Sequence, residues 1–314
     1  MTQKRTGKRA ASKKTPATPP LRNRSGAEGV MADLSRIMRE QAFESLEDAE
    51  RFMQRLMEKE GERIPRSRAQ GPAEQAQELI YQAWEAKTDR QAAALARQAL
   101  EIFPDCADAY NVLAETEARS AEDARTFYQQ GVDAGRRSLG EAFFREHTGH
   151  FWGMIETRPY MRACQGLADC LWALGRKRDS IAHCETLLEL NPNDNQGIRH
   201  GLLSRYLVQG DDAGAERLFR GYADDSSAAF LWSRVLLDLR RGDEVAAKAD
   251  LLVAMDCNPH VAGFFAGKRK PPATLPESYS PGDRNEAVLY IASFAEAWLA
   301  SSDAMDWLIG QLTN

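Results

Sequence analysis

The stretch Glu156-Thr157-Arg158-Pro159-Tyr160-Met161-Arg162-Ala163 decides how the chain is read. It continues through Leu167-Ala168, Leu171-Trp172 and Leu174-Gly175-Arg176, then through Ile181, Leu187 and Leu188 to Leu190-Asn191-Pro192-Asn193-Asp194-Asn195-Gln196-Gly197-Ile198-Arg199. Apolar residues fall at helical spacing on both sides of Gly175, and Asn191-Pro192 stops the second run. These residues dictate a helix, a tight turn, a second helix, and a Pro-bearing turn into a third. Arg158-Pro159 reads as a helix start, because the residue before Pro is pushed off the helical region and Pro suits the first helical position. The Asn and Asp side chains around Pro192 are read as caps for the orphan amides of the helix that follows.

Working outward, the same pattern recurs. A helix–turn–helix unit of about 34 residues closed by a Pro can be anchored three times. Pro104 closes one with Leu79 in its first helix and Ala92, Ala96 and Ala99 in its second. Pro192 closes the opening stretch, and Pro259 closes a unit with Ala247, Leu251 and Ala254 in its second helix. Pro192 and Pro259 are 67 residues apart, close to two units, and the unit between them holds Ile198, Leu202, the turn Gln209-Gly210-Asp211 and Leu218. Another unit runs from Ala109-Tyr110-Asn111-Val112-Leu113-Ala114 to Ala124, Phe127 and Tyr128, with a shortened turn near Ser120. Pro104 and Pro192 are 88 residues apart, and the excess over two units, around Gly135 to Trp152, predicts an extra helix through Leu139, Phe143 and Phe144. Small residues let paired helices approach closely, and Pro cannot continue the second helix. The fold expected is all-α: an α-α superhelix, or solenoid, of about four to five helical hairpins.

The two ends differ from this middle. Residues 1–28 are rich in Lys, Arg, Thr, Pro and Ala, with too little apolar surface to offset ordering, and are expected to be a disordered basic tail. Residues 29–66 are expected to be an N-terminal helical segment: Met31, Leu34, Ile37 and Met38 share one helical face, Ser45 suits an N-cap, and Phe52, Leu56 and Met57 form a second stripe. Pro65 to Pro72 reads as a linker, which assigns 67–314 to the solenoid. From about residue 260 the period is lost. An irregular segment leads to a hairpin with Val288, Ile291, Phe294 and Trp298 in one arm and Ala304, Trp307, Leu308 and Leu312 in the other, expected to cap the stack.

Composition narrows the function. Eight Lys and Arg and no acid lie in residues 1–24, so a net charge of −5 leaves about −13 on the remainder, which argues against a broad phosphate-binding face. No apolar run reaches the ~18 residues that a membrane span needs, and no apolar signal segment opens the chain. Five irregularly spaced cysteines point to a reducing, cytoplasmic setting. Phosphate loops, nucleophile elbows and metal-binding spacings are absent from the sequence, so catalytic residues, cofactors and metals are all expected to be none. Cys164 and Cys184 fall where helices pack, and are read as buried thiols.

The residues quoted first, together with Gly149-His150-Phe151-Trp152-Gly153 and Asn258-Pro259-His260-Val261, resemble the tetratricopeptide-repeat superfamily. More narrowly, they are similar to a group of bacterial and plant proteins related to the suppressor-of-tumorigenicity-7 family, over roughly residues 70–314. The resemblance implies a helical-repeat interaction protein and brings no catalytic or ligand residues with it. Some members of the group add small zinc-binding modules; this chain lacks such a Cys/His cluster, so zinc is not implied.

On this reading the concave face, built from the first helix of each hairpin, binds a peptide or partner protein. Its expected contacts are Trp84, Asn111, Arg162, Asp169, Trp172, Arg199 and Tyr206, with Arg162 and Arg199 attracting acidic groups and Trp172 and Tyr206 supplying apolar contact. A plainer reading makes Trp84, Trp172 and Trp232 fillers between repeats. An alternative function is nucleic-acid-associated regulation through the basic tail. A second alternative, a subunit of an enzyme complex, would involve His147, His150 and Glu156.

Overall fold

Helix α1 (Ser25–Arg39) and helix α2 (Leu46–Glu60) open the described part of the chain. The computed structural model describes residues 25–60 and 64–313, and every regular element among them is helical. Hairpins follow: α3 (Gly71–Glu85) with α4 (Asp89–Ile102), α5 (Ala107–Thr116) with α6 (Ala121–Leu139), and, after the short α7 (Glu141–His147) and two 3-10 turns, α8 (Arg158–Ala173) with α9 (Lys177–Leu190). Then come α10 (Ile198–Gln209) with α11 (Asp212–Gly221) and α12 (Ala228–Arg240) with α13 (Glu244–Cys257). Short α14 (His260–Phe265) leads to α15 (Arg284–Leu299) and α16 (Ser302–Thr313). The main contacts join the helices of one hairpin, or a second helix to the next first helix, as between α4 and α5, α6 and α8, and α9 and α10. The result is an all-α superhelix whose inner row is α3, α5, α8, α10 and α12.

Three hairpins turn in the same way. The amides of Arg176, Asp211 and Asp243 donate to the carbonyls of Leu171, Tyr206 and Asp238 at 2.9, 2.9 and 3.0 Å. One residue earlier in each, Gly175, Gly210 or Gly242 sits at φ 80, 69 or 76°, a left-handed conformation that glycine adopts at little cost. Asp211 and Asp243 then accept from Gly214 N and Ala246 N to start the next helix. The α3/α4 and α5/α6 turns lack this glycine and start their second helices from Thr88 and Ser120 instead. The Asn191-Pro192 turn behaves as read from sequence: buried Asp194 accepts from Ile198 N at 2.7 Å and Arg199 N at 2.9 Å.

Close packing follows the small residues. Ala76, Ala96, Ala99 and Ala109 are fully buried, and a Cβ on Gly166 would overlap the Tyr128 ring, so α6 and α8 meet at short distance.

Several expectations change. Helix α1 begins at Ser25, inside the stretch read as a disordered tail, while residues 1–24 lie outside the described residues. Leu139 ends α6, and the extra helix is α7, whose Phe144 packs on Phe151 and Tyr160. The face of α1 that the apolar period marked is not the buried one. Glu28, Ala32 and Arg36 are 6, 7 and 3% exposed, whereas Val30 and Met31 are 44 and 40% exposed. Finally, α15 does more than close the end, because it lies against α10 and α12 of the inner row.

Candidate functional site

The inner row carries a chain of polar contacts that run from helix to helix. Asp108, near the start of α5, is fully buried, and Arg162 of α8 grips it with two hydrogen bonds, Nε at 2.9 Å and Nη2 at 2.6 Å. Asn111 Nδ2 donates to the same carboxylate at 2.9 Å and Gln77 Nε2 at 3.0 Å. Burial alone would raise the Asp108 carboxyl; the Arg162 charge and these hydrogen bonds outweigh it and hold the group below the ordinary carboxylate value. Arg162 is raised in turn: burial disfavours its charge, and Asp108 and Glu28 more than compensate. Trp84 lies under the guanidinium, 5.0 Å from ring centre to Cζ. Further along the row Gln196 bonds Gln165 at 2.9 Å, and Arg205 pairs with Asp169 beside Trp172.

Helix α1 is seated on the first part of this row, held near both ends by charge. Near its start Glu28 accepts from Arg162 Nη1 at 2.8 Å and lies 3.6 Å from Arg158, itself stacked over Trp152. Near its end Arg36 pairs with Glu74 at 3.0 Å and with Glu78 at 2.7 Å, both on α3. The linker is tied to it as well, since Ser67 N and Oγ donate to Asp33 at 2.9 and 3.0 Å. Two turns separate Glu28 from Arg36, and the residue between them on the same face is only Ala32. Beside that face a cavity of about 390 Å³ remains, bordered by Ala32, Tyr81, Phe103, Leu139, Ile155 and Tyr160.

The expected contact residues separate into distinct settings. Trp84, Asn111 and Arg162 come together, buried beneath α1. That corrects the expectation that Arg162 is free for an outside acid: two carboxylates of this chain already hold it. Arg199 is also engaged, at 3.0 Å from Asp194 and 2.6 Å from Asp225, at the end of α10 away from α1's ion pairs. Asp225 is held low despite burial by hydrogen bonds from His200, Ser227 and Arg199. Tyr206 is buried and turned toward the second helices, where its hydroxyl donates to Glu185 and its ring lies against Gly214. Asp169 and Trp172 remain half-exposed, with Lys177 Nζ 3.5 Å from the Trp172 ring centre. Trp84 and Trp232 are buried and fit the filler reading; Trp232 packs on Phe265 and Tyr290.

Other candidates fall apart spatially or chemically. The His147 ring lies tilted against Phe143, 4.3 Å between ring centres, His150 and Glu156 are exposed, and no hydrogen bond or ion pair among the described residues joins the three side chains. The thiols of Cys106, Cys164, Cys170 and Cys184 are each pushed up to about 12, burial being the largest cause. The residues that sequence reasoning missed are Glu28, Arg36, Glu74 and Glu78. Their signal was present as an acid, a small residue and a base at i, i+4 and i+8, on the face opposite the apolar stripe.

Stacked helical hairpins, with one helix seated on their inner row by charge, define a helical-repeat-like architecture. No family model matches the chain. It is similar to the suppressor of tumorigenicity 7 protein-like of Gallus gallus, 27% identical over 255 residues, which covers 73% of this chain and 45% of that one. The Homo sapiens protein of that name is 26% identical over 253 residues, covering 73% and 44%. The suppressor of tumorigenicity 7 protein of Rattus norvegicus is 25% identical over 232 residues, covering 67% and 40%. The chain therefore spans less than half the length of the relatives it matches.

Proposed function

We propose that the chain is a tetratricopeptide-like, non-catalytic scaffold that holds a segment of a partner protein along its inner row. The observation that carries this reading is α1: a helix from outside the hairpins lies on that row through buried polar contacts. The part of the row that α1 leaves uncovered includes half-exposed Asp169, Gln165 and Trp172. Aromatic and charged groups on a rigid support are what a peptide-binding surface requires. A reducing, cytoplasmic setting fits the five free cysteines, and no helix among the described residues is long and apolar enough to cross a membrane.

The test uses a photo-crosslinking residue at Trp172, on the inner row, or at Leu252, exposed on α13. In native lysate the reading expects a discrete partner adduct from position 172 and none from 252. Adducts from 252 alone would move the binding face to the outer surface and remove the inner row from consideration.

A further inference from the structure

We propose that the seat of α1 is a binding site for a partner helix carrying a carboxylate, a large apolar residue and a guanidinium at positions i, i+4 and i+8, and that α1 is its replaceable occupant. This rests on the scaffold reading above and adds the chemistry of the ligand.

Three observations carry it. First, α1 is held by its polar face. The side chains it buries most deeply are Glu28, Ala32 and Arg36, while Val30 is exposed and Leu34, Ile37 and Met38 are only half-buried. A helix belonging permanently to a core buries its apolar stripe instead. Second, the two charges meet opposite charges at both ends: Arg162 and Arg158 receive Glu28, and Glu74 and Glu78 receive Arg36. Such pairs set register and orientation and select against helices of the wrong polarity. Third, the middle of the seat is underfilled. Ala32 borders a cavity of about 390 Å³ whose wall includes Tyr81, Phe103, Leu139, Ile155 and Tyr160. The wall also carries Gln77, Asp105, Ser138 and Glu156, and its aromatic and aliphatic part is suited to a larger apolar side chain than a methyl group. The charges of α1 match the site; its central residue does not.

Departure of α1 leaves the buried Arg162–Asp108 pair intact. Arg162 keeps both bonds to Asp108, and Asp108 keeps Asn111 and Gln77. Exchange of one helix for another therefore keeps that pair, while Arg158, Glu74 and Glu78 trade α1's charges for those of the incoming helix.

The experiment titrates fluorescein-labelled peptides into the full chain and reads anisotropy, with hydrogen exchange of residues 25–39 followed in parallel. The peptides are the chain's own residues 25–40, the same peptide with Ala32→Leu, and the Leu peptide with Glu28→Gln and Arg36→Gln added. The Leu peptide should bind at least tenfold more tightly than the native one. Removing its two charges should cost at least tenfold, and its binding should speed exchange in α1. Equal affinity of the native and Leu peptides, indifference to the charges, or saturation without faster exchange in α1 would each overturn the proposal.

A second variant needs no peptide to enter. In the full chain Ala32→Leu should slow exchange across α1 and weaken binding of the Leu peptide at least tenfold. Faster exchange there would mean that the cavity does not accept the side chain, and overturns the proposal. Dimers of that variant in sedimentation would name a second copy's α1 as the occupant and also overturn it. If the peptides fail while position 172 still crosslinks a partner, the scaffold reading stands and only the ligand chemistry falls.

Discussion

Helices α1 and α15 both lie on the inner row, at opposite ends of it, and they are attached by different physics. Helix α15 buries Val288, Tyr290, Phe294, Ala297 and Trp298 against α10 and α12, with the Trp298 indole donating to the Tyr290 hydroxyl at 2.8 Å. Arg240 of α12 adds bonds to Ala297 O and Ser301 Oγ. Helix α1 buries an acid, an alanine and an arginine, and leaves its apolar stripe half-covered. Apolar burial scales with area and is not screened by salt, whereas ion pairs are directional and their net value is small once desolvation is counted. One helix is thus a structural cap and the other a docked element, although both flank the repeats.

The largest expected effect is on the cap. Trp298→Ala removes a fully buried indole and should lower global unfolding stability by about 3–5 kcal/mol, measured by denaturant titration. A loss confined to residues 284–313, with the rest of the chain unmoved, would break the view of α15 as part of the common core.

Next comes the charge pair beneath α1. Arg162→Ala leaves Asp108 buried without its cation, which should cost about 3–5 kcal/mol. Adding Asp108→Leu to that variant should recover much of the loss, because the fully buried carboxylate left without its cation is then gone as well. If the double variant is as unstable as the two single losses added together, Arg162 acts through packing on Trp84 and not through Asp108.

Acid should separate the two helices. Burial raises Glu74, but the Gln70 amide, Arg39 and Arg36 outweigh it and leave the folded-state value depressed. A carboxylate depressed in the folded state contributes stability that is complete above its unfolded pKa of about 4.3 and is lost as pH falls through the folded value. Hydrogen exchange, corrected for its intrinsic pH dependence, should therefore show α1 opening below about pH 4 while α15, seated by apolar contact, stays protected. Simultaneous opening of both would erase the distinction between them.

The smallest effect sharpens it from the other side. Val30→Ser changes an exposed residue of α1 and should move stability by no more than about 0.5 kcal/mol. A larger loss in thermal unfolding would show that the apolar stripe is the true anchor.

How much of this was legible in the sequence depends on whether a contact is local. The hairpins could be read because Gly175 and Gly210, the Asn191-Pro192 cap and the small residues Ala92, Ala96, Ala99, Ala247 and Ala254 act over one or two helical turns. The inner-row residues could be enumerated for the same reason, but not their state. Arg162 was read as waiting for an acid, and it meets Asp108 from 54 positions earlier and Glu28 from 134 positions earlier. Tyr206 was read as facing inward, and the course of α9 and α11 turns it toward Glu185. For α1 the apolar period identified the helix and misled about its face, because a helical period reports amphipathicity and not which side finds a partner.

By itself, then, the sequence determined an all-helical chain, the existence of its paired helices and the glycine turns at 175 and 210, since propensity, capping and spacing are properties of neighbouring residues. Only the tertiary structure decided that α1 docks by charge and α15 by apolar surface, and that Arg162 is already paired. Those outcomes depend on which buried groups meet across tens to more than a hundred positions, where the desolvation of each charge must be matched by a partner that local sequence cannot name.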